Sequence, residues 1–300
     1  MCRFVSYLGR PIIIDELLLK PENSLVNQSY DAEEMSQPLN GDGFGLGWYA
    51  REIRSQPGLF RSITPAWNNQ NLRYNASLIR TPCLFAHIRA ASVGVVSEAN
   101  CHPFHYHDYL LMHNGGIDDF RHIKRDLVRL LNDEFFLWVT GQTDSEHIFA
   151  FFLQTLVERY GEELPQPEQV AACFQHTFDM MEVLKRHRNI AGNSTYNMLV
   201  TDGRRIFGTR YNSSPHEASP TLYYATGSRF ESHPNGDCFI RDNKEGRQFV
   251  MVVSEKLNER EEDWTVVPPN HFIWVGEDLE VKLMAMGSRI QSGRVKPGLC

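Results

Sequence analysis

An α+β layered domain is the fold class this sequence predicts, and three observations carry it. Strand-like segments come first, helical patterns fill one continuous middle stretch, and strands return to the end of the chain. Single strands do not alternate with single helices, as they would in a parallel wound sheet. No G-x-G-x-x-G opens a helix after a strand; the glycines of "GDGFGLGWYA" fall at 41, 43, 45 and 47, with period two.

Residues 2–8 read as the first strand, an apolar run headed by a cysteine. A polar, irregular stretch follows over 21–41. In an extended chain the period-two glycines share one face. They mark either a loop entering a strand where another layer packs closely, or a flexible loop bordering a site. "CLFAHIRAAS" (83–92) and "YLLMHNGGI" (109–117) read as strands ending in polar turns. The helical patterns cover 118–131, 144–160 and 167–188. In the second, Ile148, Phe149, Phe152 and Leu156 form an apolar stripe, and Thr143 or Asp144 stands where an N-cap belongs. The remaining strands are "YNMLVTD", "RRIFGTR", "LYYAT", "QFVMVVSE", "WTVVP", "HFIWVG" and "LEVKLMA".

With 300 residues, 42% of them hydrophobic, the chain holds enough apolar mass for a sizeable core. No repeat or linker divides it, so a single domain over 1–300 is expected. A formal net charge of -7 argues against a nucleic-acid or anionic-membrane partner, either of which favours a basic face. The six cysteines (2, 83, 101, 173, 238 and 300) are scattered, with no C-x-x-C, which suits reduced thiols in the cytoplasm. Arg10, Pro11, Asp15 and Glu16 break the first apolar run, so no signal peptide is expected. No stretch approaches the roughly 20 apolar residues of a membrane span. The sequons at Asn27, Asn75, Asn193 and Asn212 are therefore expected to stay unmodified.

Four polar constellations sit at element ends. They are Cys2; His87 and Arg89 with Ser92; His113-Asn114-Gly115-Gly116; and Thr143-Asp144-Ser145-Glu146. Each has a plain reading. Cys2 is a small buried hydrophobe, Arg89 an ordinary ion-pair residue, Asn114-Gly115 a turn and Asp144 a cap. Each also has a chemical one. Removal of Met1 would give Cys2 a thiol and an α-amine on one residue, a nucleophile beside a base. Cys101, His102, His105, His107 and His113 are zinc-ligand types, but their spacing matches no structural zinc pattern, and no metal or cofactor is expected.

Together, "MCRF", "AHIRAAS", "NCHPF", "HNGGI" and "TDSE", in that order, resemble the class II glutamine amidotransferase domain, an N-terminal-nucleophile hydrolase. "GDGFGLGWY", "LVTDGRRIFGTRY" and "VVSEKL" resemble its stand-alone branch. That branch includes the γ-glutamyl amidohydrolase of ergothioneine synthesis and the amidotransferase-like subunit of fungal glutathione degradation. The resemblance spans about residues 1–285. It implies a four-layer αββα sandwich and hydrolysis of glutamine or a γ-glutamyl amide through a Cys2 thioester, releasing glutamate.

The chemistry fits the residue types. Arg89 suits two parallel hydrogen bonds to the α-carboxylate of a γ-glutamyl group, with Ser92 adding a hydroxyl. Asp144 suits the α-ammonium. The resemblance gives Asn114 and Gly115 the oxyanion donors and the Cys2 α-amine the role of base. His87 and His102 are expected to be structural hydrogen-bonders. Arg3 and Ala90 depart from the synthase-linked pattern, which has Gly after the cysteine and often an aromatic after the arginine; this leaves the leaving-group side open. No synthase domain is expected to follow. Either water is the acceptor, or ammonia passes to a separate protein subunit; a non-catalytic γ-glutamyl-binding subunit is the third arrangement.

Overall fold

The computed structural model of the chain describes residues 2–34, 39–161, 165–214, 217, 219–233, 235–242 and 246–287; Met1 and Cys300 lie outside them. The first half carries β1 (Arg3–Ile13), α1 (Asp15–Leu18), α2 (Leu25–Gln28), β2 (Phe44–Trp48), β3 (Gly58–Ser62), α3 (Gln70–Ala76), β4 (Arg80–Ile88), β5 (Phe104–Tyr106) and β6 (Tyr109–Gly116). The helical middle is α4 (Phe120–Val128), α5 (Asp133–Trp138), α6 (Asp144–Tyr160) and α7 (Pro167–His187). Then come β7 (Thr195–Thr201), β8 (Ile206–Asn212), β9 (Tyr223–Gly227), β10 (Arg229–Ser232), β11 (Cys238–Arg241), β12 (Phe249–Val253), β13 (Thr265–Val266), β14 (His271–Val275) and β15 (Val281–Ala285).

The larger sheet runs β13-β9-β12-β1-β4-β2-β3 and the second β15-β14-β8-β7-β6-β5, with β10 and β11 forming a separate hairpin. Neighbours in both large sheets pair antiparallel. Three apolar layers fix their stacking. Side chains of α4 to α7 pack on Leu111, Met198, Val200 and Phe272 of the second sheet. Side chains of α1 to α3 pack on Val5, Tyr7, Leu84 and Met251 of the larger sheet. Between the sheets, Phe4, Leu8, Phe85 and Val252 meet Leu110, Met112, Leu199 and Ile273. Alternation along β1 sends Phe4 and Leu8 to the middle layer and Val5 and Tyr7 to the outer one. The result is the expected αββα sandwich.

Close approach of the sheets explains two of the period-two glycines. A Cβ at Gly45 would lie 2.2 Å from the His102 carbonyl oxygen, and one at Gly47 would lie 2.5 Å from Leu110 Cδ1. Several boundaries differ from the sequence reading. The first strand starts at Arg3 and continues to Ile13, because a register shift after Leu8 accommodates exposed Pro11. The helix expected over 118–131 is confined to Phe120–Val128, and the six-residue α5, capped by Asn132, is too short to show a period. The strand in 83–92 ends, as expected, before a polar stretch that holds Arg89 to Ser92, but it begins earlier, at Arg80. Among the described residues no helix is long and apolar enough to cross a membrane.

Candidate active site

The topology gathers the four constellations at one end of the sandwich. Antiparallel pairing of β1 with β4 sets Arg3 opposite Ile88, so Cys2 falls beside Arg89. Strand β6 in the facing sheet ends in Asn114, Gly115 and Gly116, and α6 begins at Asp144 beside that end. A hydrogen bond ties the sheets behind the site: His87 Nε2 of β4 donates to the His113 carbonyl of β6 at 3.2 Å.

Cys2 is half-buried, whereas Cys83, Cys101, Cys173 and Cys238 are buried. Partial exposure is what a thiol that meets substrate requires. The Ala90 N–H points at its sulfur at 3.4 Å, and the Ala90 carbonyl lies 3.6 Å away. Burial pushes the thiol pKa up; the Ala90 N–H and the Arg89 charge pull it down, and the Asp144 charge pushes it up again. Both charges therefore act on the sulfur. A thiol with a raised pKa becomes a nucleophile only where an adjacent base takes its proton.

The Arg89 side chain is 3% exposed and forms no ion pair among the described residues. It donates to three loop carbonyls, Nη1 to Val95 at 3.1 Å and Nη2 to Val93 at 2.9 Å and Gly94 at 3.4 Å. Its backbone is pinned by the glycine stretch: Arg89 N donates to Gly43 O, and Asp42 N donates to Arg89 O. That stretch thus serves packing and borders the site as well. Ser92 is exposed and has no hydrogen bond to the rest of the group.

Asn114 is fully buried, and neither its amide nitrogen nor its amide oxygen has a partner. A buried amide left unpaired is costly, so an intact one points to a ligand that completes it. Gly115 is required by space, since a Cβ there would lie 2.1 Å from the Thr195 carbonyl oxygen. His113 braces this strand end: Nε2 donates to Thr195 O at 3.1 Å, which leaves Nδ1 to accept from the Ser145 hydroxyl at 2.9 Å.

Thr143, not Asp144, caps α6, accepting the Glu146 N–H at 3.2 Å. Asp144 is 4% exposed and spends its oxygens otherwise. Oδ2 accepts from Ile117 N at 2.9 Å, and Oδ1 accepts from Ser145 N at 2.8 Å. No cation pairs with it among the described residues. The site end thus holds a buried guanidinium and a buried carboxylate, each without a countercharge. A zwitterionic group would supply both.

One expectation needs correction. His87 is a hydrogen-bonder through Nε2, but His102 is not, since both its ring nitrogens are buried without a partner. His102 stacks instead between His87, at a ring distance of 4.1 Å, and Phe104, at 4.6 Å. Burial holds the His87 pKa down to about 3 and pulls that of His102 well below the usual range. The Cys/His-rich segment does not converge: His105 reaches the His107 carbonyl and Cys101 the Ser62 carbonyl. Among the described residues no three such side chains could hold a metal ion.

Two neighbours escaped the sequence reading. Asn197 lies directly opposite Asn114 in the β6–β7 register, with its Oδ1 buried and unpartnered. Asp42 accepts the Ala91 N–H at 2.8 Å and so steadies the turn beside Cys2. Neither sits in a pattern with chemical spacing; only the pairing of strands exposes them.

A family model described as "Glutamine amidotransferases class-II" matches residues 24–296, beginning downstream of Cys2. The Saccharomyces cerevisiae protein named "Probable glutamine amidotransferase DUG3" is 36% identical over 292 residues, covering 92% of this chain and 82% of that protein. The γ-glutamyl-hercynylcysteine sulfoxide hydrolase of Mycobacterium tuberculosis H37Rv is 34% identical over 120 residues, which are 39% of this chain and 50% of the hydrolase. Among solved structures, a glutamine aminotransferase class-II domain protein from Silicibacter pomeroyi superposes with TM-score 0.63 at 23% identity, covering 95% of this chain and 99% of that one. Glutamine phosphoribosylpyrophosphate amidotransferase from B. subtilis superposes with TM-score 0.58 at 13% identity, over 96% of this chain and 50% of that one. At these identities the structures establish a shared fold.

Proposed function

The chain belongs to the class II glutamine amidotransferases, and from that premise we propose that it hydrolyses glutamine or a γ-glutamyl amide through Cys2. The observation that carries this reading is the unpaired, buried amide of Asn114 at the same end of the sandwich as the one half-buried cysteine among those described. An oxyanion donor needs that state: preorganised, dry and unsatisfied until charge develops.

In the proposed reaction Met1 has been removed, and Arg89 and Asp144 bind the α-carboxylate and α-ammonium of the glutamyl head. The Cys2 α-amine takes the thiol proton as Sγ attacks the γ-carbonyl. The oxyanion of the tetrahedral intermediate meets the Asn114 amide and the Gly115 N–H. Collapse breaks the C–N bond, and the departing amine takes the proton from the α-amine. The α-amine then activates water, which attacks the thioester, releases glutamate and returns the proton to Sγ. Ser92, exposed three residues beyond Arg89, is assigned in this scheme a hydroxyl contact to the same carboxylate. The whole chain acts as one domain in this scheme, with no cofactor. Four buried, unpaired thiols suit a reducing compartment, and we assign the protein to the cytoplasm.

A substrate larger than glutamine is the expected one, as the name of the mycobacterial relative says of that protein. The test compares kcat/KM for glutamine, glutathione and a set of γ-glutamyl amines, with and without proteins co-purified from the native host. A γ-glutamyl amide other than glutamine should win. If glutamine wins throughout and its ammonia appears in a synthetase product, the chain is instead an ammonia donor to a separate subunit.

A further inference from the structure

Resting on Cys2 as the nucleophile, the geometry points to Arg3 and Glu255 as a buried pair that positions it. On one side of β1, strand β12 ends at Val253, opposite Val5, and the last backbone bond there is Ser254 N donating to Phe4 O at 3.2 Å; on the other side β4 pairs as far as Arg3. Side chains take over. Ser254 Oγ accepts the Phe4 N–H at 2.9 Å, in place of a strand carbonyl. Continuing the same register sets Arg3 opposite Glu255, and the two form an ion pair, Nε to Oε2, at 2.5 Å. Arg3 Nη1 then donates to the Cys2 carbonyl at 3.3 Å. The backbone acceptor just before β1 is thus held by a side chain that is itself held by a carboxylate.

Both residues are 1% exposed, and a buried ion pair gains little net stability over an apolar pair of the same shape. A role in geometry accounts for it better. Glu255 also accepts the backbone N–H groups of Glu33, at 3.0 Å, and Glu34, at 3.4 Å, and the side-chain amide of Asn23, at 3.2 Å. These contacts anchor the pair to the segments on both sides of α2. Holding the Cys2 carbonyl fixes the peptide plane between Cys2 and Arg3, and with it the place of the Cys2 Cα. The α-amine and Sγ both branch from that atom, so its place sets how far each lies from the substrate. Arg3 is thus a positioning residue: it touches the backbone of the nucleophile and no reacting atom.

The test uses Arg3→Lys in the processed, full-length protein. Lysine keeps the charge for Glu255 but lacks the second arm that reaches the Cys2 carbonyl. The rate of Cys2 alkylation by a saturating glutamine-like electrophile should fall about tenfold or more, as for loss of one charge-assisted hydrogen bond. The electrophile concentration for half-maximal rate should change less than about threefold, because the glutamyl head is bound elsewhere, and the melting temperature should stay near that of the parent. Arg3→Met with Glu255→Gln serves as a second variant: the buried charges go together, while the glutamine oxygen still accepts from Glu33 N and Asn23; it should fold and show the same rate loss. A parent protein labelled at Cys2, with both variants labelled at the parent rate, overturns the positioning role alone. A parent protein that is not labelled at Cys2 overturns the nucleophile instead.

Discussion

The carboxylate of Asp144 accepts the Ile117 N–H at 2.9 Å, so the first residue of α6 is tied to the turn that follows β6. One short bond thus fixes a buried negative charge relative to Asn114 and Gly115, three and two residues back along the chain. Because Thr143 does the capping, Asp144 keeps lone pairs for a ligand.

Asp144→Asn should lower kcat/KM about ten- to a hundredfold, with most of the change in KM, since in the proposed reaction the lost charge-assisted bond would hold the glutamyl head in ground and transition states alike. Arg89→Lys should act in the same direction, because it loses the planar fork. Steady-state kinetics on both variants check this; unchanged kcat/KM in either would remove that residue from the head pocket.

Asn114→Ala separates rate from stability. Removing an oxyanion donor should lower kcat about 10²–10³-fold. The melting temperature should fall little, because no existing hydrogen bond is lost and an unpaired buried amide goes with it. A large drop in melting temperature with kcat preserved would make Asn114 structural.

Much of this was legible in the sequence. The α+β layering follows from strand and helix signals, the four constellations stand at the ends of those elements, and the αββα order is what the resemblance carried by the motifs implies. What stayed hidden depends on packing. Nothing local separates Thr143 from Asp144 as the cap, and only the register sets Asn197 against Asn114. His102 has a sequence neighbourhood that suits a hydrogen-bonder; the stacked rings of His87 and Phe104 leave its nitrogens without partners. The short α5 and β5 lack the length to display a period.

Acid should destabilise the fold below neutral pH. Burial lowers the His87 pKa to about 3 and the His147 pKa to about 4, against an ordinary value of about 6.5. Between those values the unfolded chain binds more protons than the folded one. The stability these groups confer is therefore complete above about pH 6.5 and lost as pH falls toward the folded values, with a slope of up to about 1.4 kcal/mol per pH unit for each histidine. Urea unfolding from pH 7.5 to pH 5 should show the decline, and His147→Gln should reduce it. Stability independent of pH over that interval would contradict the buried neutral imidazoles.

Gly115→Ala should damage fold and rate together. Its Cβ would meet the Thr195 carbonyl oxygen at 2.1 Å, so β6 and β7 must part where the proposed oxyanion donors sit. Overpacking of this kind costs about 1–3 kcal/mol or more. Thermal unfolding and kcat should both fall; an unchanged melting temperature would show that the strands yield at no cost.

The central claim is that Cys2, freed of Met1, is the nucleophile. Its most direct test is intact-mass analysis with peptide mapping of native-host protein treated with a γ-glutamyl diazoketone. The expected product is a chain that begins at Cys2, carries a single label on Cys2 and has lost its activity. A label on Cys83 or Cys101 with Cys2 untouched, or full activity in a chain that retains Met1, would contradict it.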